Sequence, residues 1–72
     1  MGDGFTIIDA TTGEVVCSAA RLIDAILLLA DAYGLHAEVE IAEDCAHQFP
    51  RRAINHLNIM GFTVVQAAYG LR

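Results

Sequence analysis

The chain has 72 residues and a mass of 7.7 kDa, with nine acidic against four basic side chains and a formal charge of −5. That length accommodates one domain, residues 1–72, and an apolar content of 56% with a mean hydropathy of +0.48 excludes intrinsic disorder. A pI near 4.8 and the absence of lysine argue against direct nucleic-acid binding through general charge, which needs clustered Lys and Arg, and favour a basic partner instead.

In chain order, Phe5-Thr6-Ile7-Ile8-Asp9 and Glu14-Val15-Val16-Cys17 flank a turn containing Gly13, which predicts a β-hairpin. Ser18 precedes the helix-forming run Ala19 to Tyr33 and is expected to cap it, with Gly34 ending it as a left-handed residue. His36 to Ala42 alternates, placing Ala37, Val39 and Ile41 on one face and His36, Glu38 and Glu40 on the other, the pattern of a half-buried strand. Pro50 suits the first turn of a second helix that runs to Met60 and stops at Gly61. Phe62-Thr63-Val64-Val65-Gln66 reads as the last strand. The expected fold is α/β (α+β): a two-layer sandwich of order ββαβαβ, its four-stranded mixed sheet carrying two helices on one face. In it Gly34-Leu35 and Gly61-Phe62 each join a helix to a strand.

The first helix is apolar nearly all round. Leu22, Ile23, Ile26, Leu27, Leu29, Ala30 and Tyr33 fill a core stripe, while Leu28 falls on the polar side with Arg21, Asp24 and Asp31. A domain this small cannot bury such a helix completely, so a homodimer through this helix, with Leu28, Leu27, Asp24 and Asp31 at its interface, or through the sheet edge is expected, a monomer with some exposed leucine being the alternative.

The acidic residues give the main candidate surface. Glu38 and Glu40 on the expected third strand, Glu43 and Asp44 after it, and Asp9 and Glu14 on the hairpin could present carboxylates to an Arg/Lys groove on a partner protein. Adjacent carboxylates on one strand face repel, and a basic partner would relieve that repulsion. A merely solubilising surface is the plain alternative. Arg51 and Arg52 stand at the start of the second helix, where the dipole disfavours cations. With His47 and His56 they could hold an anion, or they could pair with Glu43, Asp44 or a neighbouring subunit.

Catalytic, metal and cofactor chemistry has little to build on. The single serine, Ser18, is assigned to capping; Cys45-Ala46-His47 fits no common zinc-ligand spacing; and no phosphate-binding glycine loop occurs. No catalytic residue, metal site or cofactor is therefore expected. Cys17 and Cys45 are far apart and read as packed thiols in a reducing compartment, with a disulfide within or between chains as the alternative. Met1 to Thr6 fits a loose myristoylation pattern, but no basic residues follow to supply a second membrane signal. Ala53 to Leu71 lacks charged residues, yet Asn55, His56, Asn58, Gly61 and Gln66 interrupt it, so no membrane span is expected and the location is read as cytoplasmic.

In size and charge the whole chain resembles the small acidic inhibitors that phages and mobile elements encode, anti-CRISPR proteins among them. The resemblance includes no residue-level motif and transfers no functional residue. It implies a non-catalytic inhibitor whose acidic face blocks a nucleic-acid-binding site on a partner. A small homo-oligomeric accessory domain and an anion- or metal-binding module are the alternatives.

Overall fold

A computed structural model describes residues 4–66. Met1 to Asp3, part of the acylation pattern, and residues 67–71, the end of the uncharged stretch, lie outside the described residues. The element order is β1 (Phe5–Asp9), β2 (Val15–Ala19), α1 (Leu22–Tyr33), α2 (Glu40–Cys45), α3 (Pro50–Met60) and β3 (Phe62–Gln66). The fold is α+β, with a three-stranded antiparallel sheet and three helices among the described residues.

The hairpin forms as its β-branched runs predict. β1 takes the centre of the sheet, pairing Ile7 with Cys17 of β2 on one side and with Val64 of β3 on the other. Both pairings are antiparallel, so the expected mixed sheet is corrected to an antiparallel one of order β2-β1-β3. Alternation along β1 sends Ile7 into the core, while Thr6 and Ile8 share the other face with Ser18, Thr63 and Val65. Ser18, Thr63 and Val65 are exposed, so the helices back only one face of the sheet.

Ser18 is not the cap of α1. It belongs to β2, where its hydroxyl lies 2.9 Å from that of Thr6, and α1 begins only at Leu22 after Arg21, without a side-chain cap. α1 buries Leu22, Ala25, Ile26, Leu29 and Ala30, a stripe at helical spacing that meets Ile7 in the core. Gly34 ends it at φ 67°, where a glycine takes the left-handed conformation without a Cβ penalty.

The largest difference from the sequence pattern lies at His36–Ala42. Instead of a third strand, the chain makes turns through Val39 and then α2, so the ββαβαβ order becomes ββαααβ. The expected apolar face splits: Val39 is fully buried, while Ala37 and Ile41 are exposed. Val39, Ala42 and Ala46, which are buried, recur at spacings of three and four, so the stretch carries a helical pattern inside its alternating one. Glu and Ala are poor strand formers, and packing against α1 and α3 selects the helix. The Gly34-Leu35 joint accordingly leads into a turn, whereas Gly61-Phe62 leads into β3 as expected.

α3 starts with Pro50 in its first turn, buries Ala53 and Leu57, and ends at Gly61 with φ 103°. Phe62 then enters the core, its ring edge-on to Tyr33 with centroids 5.4 Å apart and planes at 87°. Among the described residues no helix is long and apolar enough to cross a membrane.

Candidate functional site

The six acidic residues expected to form one surface divide into two groups. Asp9 and Glu14 belong to the hairpin, where the Asp9 amide donates to the Glu14 carbonyl at 2.9 Å. Both Asp9 carboxylate oxygens are engaged inside the chain. The Tyr33 hydroxyl donates to Oδ2 and the Thr11 amide to Oδ1, each at 2.8 Å. Those hydrogen bonds, Tyr33's first, hold the Asp9 carboxyl below its usual range, and the Tyr33 phenol is pushed up chiefly by the same bond. Asp9 thus fastens the hairpin to the end of α1.

In the second group Glu38, Glu40 and Asp44 are exposed and Glu43 is half-buried. Glu38 lies in the turn before α2, and Glu40, Glu43 and Asp44 stand at i, i+3 and i+4 of α2, which places them on one helical face. The carboxylates therefore adjoin because of a helix, not because they share a strand. Glu40 benefits from the positive end of the helix, but the like charges three and four positions on repel it. Ile41 stands beside them, 60% exposed. Among the described residues Arg21 forms an ion pair with Asp24 and His36 Nε2 meets Asp31 Oδ1, both at 3.1 Å, and neither contact uses this group.

The four residues expected to hold an anion have different surroundings. His56 is half-buried and its Nε2 lies 3.2 Å from the Glu38 carbonyl, so the ring nitrogen donates there and ties α3 to the turn before α2. His47 is exposed in the turn after α2. Arg51 and Arg52 do come together, lining an open concavity of about 500 Å³ with Gln48, Phe49, Pro50 and Asn55. The Arg52 guanidinium sits 5.0 Å above the Phe49 ring, a cation–π contact. Pairing of these arginines with Glu43 or Asp44 inside the chain does not occur among the described residues.

On α1, Leu28 is 45% exposed as its place on the polar side predicts, and Leu27 is 42% exposed, which removes it from the expected core stripe. Tyr33 is also exposed, its ring set at right angles to that of Phe62. At about 100° per residue, Asp24 and Asp31 lie between Leu27 and Leu28 on the helix surface. The outer face of α1 is consequently a pair of separated leucines, with Asp24 bound to Arg21 and Asp31 to His36.

Cys17 and Cys45 are both free thiols. The Cys17 Sγ–H donates to the Ala25 carbonyl at 3.3 Å, and burial pushes its thiol up. Among the described residues, no three His, Cys, Asp or Glu side chains gather as a metal-holding group.

The order of charges along the sequence is itself asymmetric. Every Asp and Glu falls at or before Asp44, whereas Arg51, Arg52 and Arg72 follow. The fold turns this asymmetry into two neighbouring surfaces: an acidic α2, and a cationic α3 face with Phe49 50% and Ile59 83% exposed.

These features define a small α+β protein with a half-covered antiparallel sheet and charge separated between two packed helices. Compared with protein-family models, curated proteins and solved structures, the chain gives no match.

Proposed function

We propose that this protein is a non-catalytic protein-binding module, an inhibitor that presents the carboxylates of Glu38, Glu40, Glu43 and Asp44 to a basic, nucleic-acid-binding site on another protein. The observation that carries the reading is the placement of three of these groups on one face of α2 without an ion-pairing partner among the described residues. A partner's Arg and Lys side chains would relieve their mutual repulsion and be drawn to them over several ångströms. Asp9 lies on the hairpin, where Tyr33 and Thr11 each donate one hydrogen bond to a carboxylate oxygen that can accept a second. Glu14 contributes only if the partner reaches the hairpin. The two free thiols fit action in the reducing cytoplasm, and the size and charge that resemble anti-CRISPR proteins fit a phage-encoded blocker.

The test is capture from a bacterial lysate with the wild-type chain and with a Glu38→Arg, Glu40→Arg, Glu43→Arg variant. Proteins retained only by the wild type are then assayed for binding of a labelled nucleic acid. The proposal expects wild-type protein to displace the nucleic acid and the variant, folded by circular dichroism, to leave it bound. Equal retention and equal displacement by both would overturn it.

A further inference from the structure

The outer face of α3 presents a second, complementary surface. This helix buries Ala53 and Leu57 and half-buries Ile54, His56 and Met60. Its remaining side shows Arg51, Arg52, Asn55, Asn58 and Ile59 to solvent, with Phe49 just ahead of it. Neither arginine has an ion-pair partner among the described residues, although Glu43 and Asp44 are close in sequence. Cations at the start of a helix are electrostatically misplaced unless something anionic covers them.

We infer that this face docks a second copy of the chain, with Arg51 and Arg52 of each copy set against Glu40, Glu43 and Asp44 on α2 of the other. Charge complementarity selects this occupant. The acidic half of the sequence ends at Asp44 and the basic half begins with Arg51, so two copies related by a twofold axis match unlike surfaces twice over. The apolar parts match as well, since Ile41 beside the carboxylates and Phe49 and Ile59 beside the arginines are all exposed. A nucleic acid on the same face would run its phosphates against the carboxylates of neighbouring α2, which packs on α3. A small anion would leave Phe49 and Ile59 uncovered. The inference rests on the carboxylates of the proposed partner site, so a basic partner would compete with the second copy for them.

Light scattering behind size exclusion, with no partner present, tests it. Wild-type protein should give twice the chain mass at low ionic strength. It should dissociate at least tenfold more readily near 1 M salt, where the screening length falls to about 3 Å. An Arg51→Glu, Arg52→Glu variant and a Glu40→Arg, Glu43→Arg, Asp44→Arg variant should each be monomeric. Their equimolar mixture should recover the dimer, because each then offers what the other lacks. Circular dichroism on each exposed-site variant confirms folding, and Arg51→Gln, Arg52→Gln gives the same loss without added negative charge. A wild-type monomer at every concentration and salt overturns the inference while leaving the basic-partner reading to its own assay. A dimer that survives arginine reversal but not Leu28→Glu also overturns it and assigns the interface to α1.

Discussion

The Tyr33 hydroxyl at the end of α1 donates a 2.8 Å hydrogen bond to Asp9 Oδ2 at the end of β1, joining residues 24 positions apart. With the Thr11 amide on Oδ1, this bond makes Asp9 a structural acid and closes one end of the sheet–helix layer. Since the Asp9 carboxyl is held below its ordinary value of 3.8, its ionised form adds stability above the unfolded pKa. That stability is lost as pH falls through the lower, folded value. The Tyr33 phenol is raised from 10.0, so its contribution is present below the unfolded pKa and lost as pH rises through the folded one. Thermal melts across pH should therefore show an acid-side slope that Tyr33→Phe reduces, together with the disappearance of the alkaline loss due to this phenol. An unchanged profile in Tyr33→Phe would deny the bond any role in solution.

Val39 and Ile41 decide between helix and strand. An alternating strand would bury both, but the structure buries Val39 completely and exposes Ile41. Val39→Asp should cost at least about 3 kcal/mol by placing an unpaired charge in the core. Ile41→Asp should stay within about 0.5 kcal/mol in the monomer. Urea unfolding of the two variants makes the comparison, and equal large losses would restore the strand.

Leu57 on α3 is fully buried against the sheet-side core. Leu57→Ala should cost about 2–5 kcal/mol in transfer and cavity energy. A chain of this length has a stability of roughly 4–11 kcal/mol, so the variant should lose a large part of it. Its denaturant midpoint should fall sharply while the slope remains that of the wild type.

Gly34 and Gly61 end their helices at different points of the left-handed region, φ 67° and φ 103°. Nothing lies within 4 Å of an added Cβ at either, so backbone strain alone separates them. Alanine at Gly34 occupies a regular left-handed well and should cost about 1 kcal/mol. At Gly61 the φ lies outside that well, and Gly61→Ala should cost more. Differential scanning calorimetry should accordingly rank Gly61→Ala below Gly34→Ala in Tm.

Local chemistry accounts for most of the elements that were legible in the sequence. β-branched runs around a glycine turn specify the hairpin, Pro50 and Gly61 bracket α3, Gly34 stops α1, and Phe62 to Gln66 can form only a short strand. These signals act within a few residues and need no partner elsewhere. Leu28 was likewise readable as an outward residue from helical spacing.

The stretch His36–Ala42 was not legible in the same way, because one apolar residue in two and one in three or four both fit so short a segment. Only α1 and α3, by burying Val39, Ala42 and Ala46 together, turned it into a turn and a helix. The same packing turned Glu40, Glu43 and Asp44 into one helical face, withdrew Asp9 to Tyr33 and His56 to the Glu38 backbone, and left Arg51 and Arg52 outward. Charge asymmetry was written in the order of residues from the start. Which charges stand free and which are consumed depends on hydrogen bonds between residues 18 and 24 positions apart, a relation that no local pattern encodes.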